Sequence, residues 1–155
     1  MLRGWLSRGV SSENVRVIEP FADAAKVLRE ELSVMVLDDI AALAPDFVPD
    51  VVVFAVKPQG MDDIVPSYAG FAAKGAVSLS IAAGRTISYF GTHLGDGAAV
   101  VRTMPNTPAA VGRGITAACA NNRVSAAQRA ACERLLEAVG DVVWVEQEEM
   151  IDAVT

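Results

Sequence analysis

Short, valine-rich apolar runs alternate along the chain with longer stretches in which apolar residues recur every three or four positions. Short apolar runs are typical of buried strands, and the run at residues 51–56 is apolar throughout, as expected for a strand covered on both faces. The pattern predicts seven strands, at residues 15–18, 34–37, 51–56, 76–81, 98–103, 115–120 and 142–145.

The amphipathic stretches between these runs predict helices. The stretch at residues 125–139 begins with Ser125, a favourable N-cap residue, and ends before Gly140. Strands that alternate with helices favour an α/β fold, built from right-handed crossover units around a parallel sheet. The predicted helices cover residues 1–8, 21–32, 62–73, 87–94, 125–139 and 146–155.

The two ends of the sequence refine this expectation. The helix at residues 1–8 has no strand before it, although a doubly wound sheet begins with a strand. The other end lies inside the last predicted helix, at residues 146–155. A boundary inside an element indicates a fragment, and a frayed terminal helix is the alternative. We therefore expect a Rossmann-like, doubly wound, mostly parallel sheet that lacks its first strand.

Composition and charge narrow the possible functions. The chain has 155 residues, about the size of one domain, and 52% of them are hydrophobic, so a sizeable core is possible. A net charge of -6 disfavours binding to nucleic acid or to anionic membranes. No apolar run is long enough to span a bilayer. The adjacent pairs Glu30-Glu31 and Glu148-Glu149 are expected on solvated helix faces.

Few groups suit metal binding or acid–base catalysis. Cys119 and Cys132 do not form a close pair and accompany a single histidine, His93, so no metal site is predicted. Both cysteines are expected to be buried, reduced thiols of a cytoplasmic protein. His93, near a helix end, is expected at the surface, and no Ser-His-Asp or Cys-His arrangement is evident.

Two loops that follow predicted strands carry candidate cofactor contacts, because ligands of open α/β sheets bind beyond the carboxyl ends of the strands. Ala55-Val56-Lys57-Pro58 ends its strand at proline and is predicted to touch a cofactor through its backbone and Lys57; a plain turn with a solvated lysine fits equally well. The small residues of Ser80-Ile81-Ala82-Ala83-Gly84 would let a flat ring approach the backbone, although tight helix–sheet packing explains them better when they are taken alone.

Polar side chains follow two other strands. In Met104-Pro105-Asn106-Thr107-Pro108-Ala109 two prolines bracket Asn-Thr, which makes a stiff loop suited to a small-substrate pocket or, alternatively, a structural turn. Glu19, after the strand at residues 15–18, would accept hydrogen bonds from an adenosine ribose and repel a 2′-phosphate. A solvated turn residue before Pro20 is the equal alternative.

One expected motif is missing. A glycine-rich turn between the first strand and the first helix normally binds the pyrophosphate of a dinucleotide. Gly112-Arg113-Gly114-Ile115-Thr116-Ala117 fits the pattern G-x-G-x-x-A, but it leads into a strand, and Gly95-Asp96-Gly97 also precedes a strand. Neither segment is therefore interpreted as a dinucleotide motif.

These segments, in this order, resemble pyrroline-5-carboxylate reductases over essentially the whole chain. Leu2-Arg3-Gly4-Trp5-Leu6 looks like the first helix of that family, and Met150-Ile151-Asp152-Ala153-Val154-Thr155 looks like the helix that leads into its second domain. The loops that contain Lys57, Ala82 and Asn106 look like its cofactor- and substrate-side segments. Each match alone is weak or moderate, but five in register are strong.

The resemblance implies an oxidoreductase that reduces 1-pyrroline-5-carboxylate to L-proline, the last step of proline biosynthesis, with NADPH or NADH as cofactor. Hydride transfer needs mainly the positioning of cofactor and imine. By resemblance, the dinucleotide is lined by Ala55, Val56, Lys57 and Pro58, the nicotinamide by Ala82 and Ala83, the substrate side by Asn106 and Thr107, and the adenosine by Glu19 and Asp39.

The resemblance also divides the chain. Residues 1–145 would be an incomplete NAD(P)-binding domain, and residues 146–155 the start of a helix leading to an absent helical dimerisation domain. That domain would carry the catalytic residues and the homo-oligomer interface, so this chain alone is expected to be inactive. A non-catalytic nucleotide-binding or interaction fragment and the nucleotide domain of a related hydroxyacid dehydrogenase are the alternatives. Glu19 favours NADH, whereas the family habit favours NADPH.

Overall fold

The computed structural model describes residues 1–106 and 114–152, and the chain divides into two compact units, Met1–Phe47 and Val48–Thr155. Each unit combines parallel strands with helices, so the predicted α/β class is confirmed. All seven predicted strands are present, each with bounds within two residues of the prediction. The alternation of apolar runs was therefore sufficient to locate the strands.

The first unit contains a pair of parallel strands. Its elements, in chain order, are α1 (Leu2–Ser7), β1 (Arg16–Ile18), α2 (Ala22–Leu32) and β2 (Met35–Leu37). β1 and β2 form a two-stranded sheet in which Ile18 lies opposite Leu37. Ala25, Val34 and Val36 form the buried core of this unit. The apolar stripe of α2 supplies Ala25, as the helical spacing of that stretch predicts.

The second unit contains the main sheet. Its elements, in chain order, are β3 (Val51–Phe54), α3 (Met61–Ile64), α4 (Ala69–Ala73), β4 (Val77–Ser80), α5 (Ile87–Leu94), β5 (Val100–Pro105), β6 (Gly114–Ala120), α6 (Ala126–Glu137), β7 (Gly140–Trp144) and α7 (Glu149–Asp152). The five strands lie in the order β3-β4-β5-β6-β7. Each neighbouring pair is parallel except β5 and β6, so the sheet is mostly parallel, as predicted.

The described strands form two sheets, with β1 and β2 in one and β3 to β7 in the other. The expectation of a doubly wound sheet that lacks its first strand stays a prediction.

The reversed direction of β6 follows from the length of its connection. β5 ends at Pro105 and β6 begins at Gly114, so residues 106–113 are all that join them. A parallel return needs a crossover of a dozen or more residues, usually with a helix. The connection is too short for that, and β6 runs antiparallel to β5.

Two predicted helices differ from expectation, and a third has the predicted cap. The stretch predicted as a helix at residues 62–73 is divided by a 3-10 turn, Val65–Tyr68, which contains Pro66 and therefore lacks one amide donor. The helix predicted at residues 146–155 is observed as α7, and residues 153–155 lie outside the described part.

The hydroxyl of Ser125 caps α6 by accepting from the Gln128 N–H at 3.2 Å.

β4 lies between β3 and β5 in the sheet, and all four of its residues are buried. A run covered on both faces is what a parallel strand between two neighbours requires. Phe54 and Phe90 pack on one another with ring centroids 5.4 Å apart, next to the fully buried Met61 and Val65. This core carries the loops that follow β3 and β4.

Gly140 brings β7 into very close contact with β6. Its φ is +147°, and a Cβ at this position would lie 2.0 Å from the carbonyl oxygen of Gly114, which is opposite in register. Real Cβ atoms do not approach backbone oxygen this closely, and backbone cannot move aside as a flexible side chain can. The pairing of β6 and β7 therefore requires glycine at residue 140.

We expect Gly140→Ala to lower the free energy of unfolding by about 3 kcal/mol, because the new methyl group collides with the Gly114 backbone. Urea denaturation followed by circular dichroism measures the loss. Gly91→Ala is the matched control, since a Cβ at Gly91 in α5 meets no atom within 4 Å. That control should be neutral or stabilising by up to about 1 kcal/mol. Equal stability of the two variants would contradict the close contact.

Candidate functional site

Three of the sequence-predicted segments meet at one edge of the main sheet. β3, β4 and β5 are parallel neighbours, so their carboxyl ends lie at the same edge. Residues 55–58 follow β3, residues 82–83 follow the end of β4, and Asn106 follows β5. The N–H of Ile81 donates to the carbonyl of Phe54 at 3.2 Å, so the first two loops are joined where they leave the sheet.

Small residues give this edge an open surface at β3 and β4. Ala55 and Ala83 are exposed, while Ala82 is buried and donates its N–H to the Ser80 hydroxyl at 3.2 Å. Gly84 has a φ of +72°, and a Cβ there would meet no atom within 4 Å. Backbone and methyl groups without bulky side chains can accommodate the flat ring of a nicotinamide cofactor. The residues present therefore fit such a group.

The loop after β3 turns directly into a short helical segment. Val56 is partly buried and packs against the core, whereas Lys57 is exposed. Pro58 opens a 3-10 turn, Pro58–Gly60, which is closed by a hydrogen bond of 3.0 Å from the Gly60 N–H to the Lys57 carbonyl. Both the cofactor contact and the plain turn are compatible with this geometry, so the role of Lys57 stays a prediction.

Arg85 joins the loop after β4 to the loop after β3, a role that was not predicted from the sequence. Its Nε and Nη2 donate to the Pro58 carbonyl oxygen at 3.2 and 2.5 Å. Its Nη1 and Nη2 lie 3.2 and 3.3 Å from Oδ1 and Oδ2 of Asp62. The available signal was a cation directly after the small residues that end at Gly84, together with an acidic residue shortly after the preceding loop.

Tyr89 completes this group from α5. The Arg85 guanidinium lies 4.5 Å from the centroid of the Tyr89 ring, a cation–π contact. Burial, together with the nearby Asp62 carboxylate, raises the pKa of Tyr89 to about 12. The Tyr89 phenol, and after it the Arg85 guanidinium, lower the pKa of Asp62 below its ordinary value. At neutral pH the group therefore holds an anionic aspartate, a cationic arginine and a neutral phenol.

Asn106 lies where the ladder between β5 and β6 ends. Its side-chain Oδ1 accepts from the Ile115 N–H at 3.0 Å, and its own N–H donates to the Ile115 carbonyl at 3.3 Å. These two bonds continue the antiparallel pairing by one residue, in keeping with the structural-turn alternative. The substrate-side role of Asn106 stays a prediction, and Thr107 lies outside the described residues.

A buried ion pair lies next to the loop after β4. Arg102 of β5 is 1% exposed, and its Nη1 lies 3.1 Å from Oε1 of Glu148. The same carboxylate oxygen accepts from the N–H of Ile87, the first residue of α5, at 2.7 Å. The expectation that Glu148 lies on a solvated face is therefore wrong, because the carboxylate compensates the charge of Arg102. Glu149 is exposed, as expected.

Glu19 and Asp39 belong to the first unit and follow the carboxyl ends of its two parallel strands. The Glu19 Oε1 accepts from the Phe21 N–H at 3.0 Å, and the Asp39 Oδ1 accepts from the Ala41 N–H at 2.7 Å. Each carboxylate thus closes a local turn through one oxygen. A carboxylate accepts several hydrogen bonds, so these contacts are compatible with ribose binding, which stays a prediction.

Other classes of site find no support in the part of the chain that the structure describes. Within residues 1–106 and 114–152, no three or more His, Cys, Asp or Glu side chains are grouped to hold a metal ion. Among the described helices, none has the length and apolar character needed to cross a bilayer. Cys119 and Cys132 are buried free thiols, as predicted, and burial raises the pKa of Cys132 to about 11.

Curated relatives match the chain over most or all of its length. The pyrroline-5-carboxylate reductase of Pseudomonas aeruginosa is 36% identical over 155 residues, and that of Synechocystis sp. is 39% identical over 143 residues. The alignments cover 100% and 92% of this chain but 56% and 52% of the relatives. The chain thus spans about half the length of the curated relatives it matches. No protein-family model matches the chain.

Solved structures show the same likeness. A pyrroline-5-carboxylate reductase from Coxiella burnetii superposes with a TM-score of 0.92 at 29% identity, covering 99% of this chain and 56% of that one. The Plasmodium falciparum pyrroline carboxylate reductase with NADP bound superposes with a TM-score of 0.83 at 21% identity, covering 99% of this chain and 55% of that one. At 21% identity, the likeness to the Plasmodium falciparum structure supports the fold alone.

We expect Glu148→Gln to lower the free energy of unfolding by about 2 kcal/mol, because it removes the carboxylate charge that lies 3.1 Å from the buried Arg102 guanidinium. The loss should be smaller than the roughly 3–5 kcal/mol typical of fully buried pairs, since Glu148 is partly exposed. Glu149→Gln, at the exposed neighbouring position, should change stability by less than about 0.5 kcal/mol. Urea denaturation of both variants checks this, and equal effects would contradict the ion pair.

We expect Tyr89 to lose its proton in the folded chain at a pH of about 12, above the ordinary pKa of 10.0. Because the folded pKa is the higher one, this phenol contributes stability that is complete below pH 10.0 and is lost as the pH rises through about 12. Tyrosinate absorbance against pH measures the transition. Tyr89→Phe should remove it, and an unchanged titration in that variant would contradict the assignment.

Proposed function

We propose that this chain, which corresponds over its whole length to the N-terminal part of pyrroline-5-carboxylate reductases, is the nucleotide-binding half of an enzyme that reduces 1-pyrroline-5-carboxylate to L-proline with NADPH or NADH. One structural observation carries the proposal. The loops after the parallel strands β3 and β4 are joined by the hydrogen bond from Ile81 to Phe54, and they present the exposed alanines Ala55 and Ala83 at the edge where open α/β sheets bind their ligands. The match to the Pseudomonas aeruginosa relative covers 100% of the chain and therefore includes both loops.

The chain's own residues would serve mainly to bind and to orient. Residues 55–58 would line the dinucleotide, Ala82 and Ala83 the nicotinamide, and Asn106 the substrate side. When bound, the reduced nicotinamide cofactor supplies the hydride for the C=N bond. The small side chains leave the ring in contact with backbone, and the buried core beneath β4 keeps that backbone in place. Such positioning accounts for a large part of catalysis in hydride transfer.

The preference between NADH and NADPH depends on Glu19 in this proposal. Its carboxylate, after β1, would accept hydrogen bonds from the ribose hydroxyls of NADH and repel the 2′-phosphate of NADPH. The Plasmodium falciparum relative solved with NADP points the other way. Asp39, after β2, would face the same adenosine.

Fluorescence titration of the purified chain with each reduced cofactor tests cofactor binding and preference. We expect binding, with NADH favoured. Glu19→Gln should raise the affinity for NADPH relative to NADH by roughly threefold to tenfold, because like charges at a surface repel by about 1 kcal/mol. Glu13→Gln removes an exposed carboxylate charge elsewhere in the same unit and should leave the ratio unchanged. Clearly tighter NADPH binding by the unaltered chain would overturn the role of Glu19.

The substrate and the extent of activity are tested separately. We propose that these residues alone bind cofactor without turnover, since the chain spans about half the length of its relatives. Cofactor oxidation in the presence of 1-pyrroline-5-carboxylate, followed by absorbance, measures turnover. Oxidation by the chain alone would contradict its inactivity. An absence of cofactor binding would overturn the proposal that these residues alone bind cofactor, and would favour an interaction fragment.

A cytoplasmic location and a homo-oligomeric whole protein belong to the same proposal. The two buried free thiols support a reducing compartment, where disulfides do not form. The oligomer interface would lie in the second domain that the resemblance implies. The division at residues 145 and 146 stays a prediction on the same basis.

A further inference from the structure

The Arg85 guanidinium is directed into the protein rather than towards a ligand. Its side chain is 23% exposed, and its donors meet the Pro58 carbonyl and both carboxylate oxygens of Asp62. Its face lies over the Tyr89 ring. Because its contacts are made to protein groups on three sides, Arg85 is suited to holding backbone in place rather than to binding an anion itself.

These contacts connect chain segments that are distant in sequence. Arg85 comes from the loop after β4, whereas Pro58 and Asp62 belong to the loop after β3 and to the start of α3. A forked guanidinium can engage a carbonyl and a carboxylate at once, which a lysine ammonium on a flexible stem does less rigidly. The two loops are thereby held at a fixed separation beyond the ends of their strands.

The loop that carries Arg85 is also fixed at its two ends. At its start, the Ala82 N–H donates to the Ser80 hydroxyl, and the Thr103 hydroxyl donates to the Ser80 carbonyl at 2.9 Å. At its end, the Ile87 N–H donates to Glu148 at 2.7 Å. Between these points lie Ala83 and Gly84, whose small size leaves the segment without side-chain packing of its own. Arg85 is the tether in that open stretch.

We propose that Arg85 is a positioning residue that holds the loops after β3 and β4 as one preformed surface for the nicotinamide end of the cofactor; this inference rests on the proposed function. A surface ordered before binding avoids the entropy cost of ordering two loops when the ligand arrives. Loss of the tether therefore weakens contacts with the nicotinamide part and leaves contacts with the adenosine part unchanged. Glu19 and Asp39, which would hold the adenosine, belong to the other unit.

The test compares two ligands on the whole 155-residue chain. Affinities for NADH and for 5′-AMP are measured by calorimetry in the unaltered chain and in Arg85→Met, which keeps an unbranched stem over Tyr89 but has no donors. We expect the affinity for NADH to fall about tenfold, the scale of lost hydrogen bonds from a charged group, with the affinity for 5′-AMP unchanged. The fluorescence of bound NADH should also move towards that of free NADH.

Two further variants make the result specific. Asp62→Asn removes the anionic partner but leaves the Pro58 carbonyl, so its loss of NADH affinity should be smaller than that of Arg85→Met. Arg134→Met removes an exposed arginine of α6 and should change neither affinity. If Arg85→Met does not fold, the affinity of Asp62→Asn for NADH is the deciding measurement, because that variant keeps the hydrogen bonds from Arg85 to the Pro58 carbonyl.

The outcomes separate this inference from the proposed function. Selective loss of NADH affinity supports the positioning role. Unchanged NADH affinity in Arg85→Met and in Asp62→Asn, or equal losses for NADH and 5′-AMP, would overturn it while the proposed function stands. An unaltered chain that binds 5′-AMP but neither NADH nor NADPH would overturn the proposed function and this inference with it.

Discussion

The parallel pairing of β3, β4 and β5 is the constraint on which the candidate site depends. Parallel strands end at the same edge, so Ala55, Ala82 and Asn106, which are far apart in sequence, all lie at one edge of the sheet. β4 is buried along its whole length between the other two and cannot shift without disrupting the core. The hydrogen bond from Ile81 to Phe54 then extends this pairing into the loops themselves.

The charged side chains next to this edge lie in pairs of opposite sign, which compensate one another. Arg102 is a cation inside the sheet, which is costly unless an anion accompanies it, and Glu148 provides that anion from a segment 46 residues away. The same carboxylate accepts a hydrogen bond from the first amide of α5, at the end of the helix where the helix dipole favours negative charge. Arg85 and Asp62 form a second, more exposed pair. Both pairs join the sheet edge to the helices that pack beside it.

Elements whose signal is local could be predicted from the sequence, and contacts between distant residues could not. Valine-rich runs located the strands because short runs of β-branched apolar residues are typical of strands, even though β4 alone among the described strands is buried along its whole length. Pro66 interrupts a helix that was predicted as continuous. The local rule that proline breaks helices applies there, but the prediction followed the apolar periodicity instead. The partners of Arg85 and Arg102 depend on which loops the topology brings together, and sequence spacing does not contain that information. Glu148 was assigned to solvent for the same reason.

The contact between Gly140 and Gly114 also limits how the chain can misfold. β7 lies at the end of the five-stranded sheet, where a strand has only one partner to hold its alignment. A slip of one residue would place Val139 or Asp141, each with a Cβ, against the Gly114 carbonyl, and would turn every side chain of β7 to the opposite face. The two glycines thus allow one alignment and exclude its nearest competitors. Their effect is on the uniqueness of the native pairing as well as on its strength.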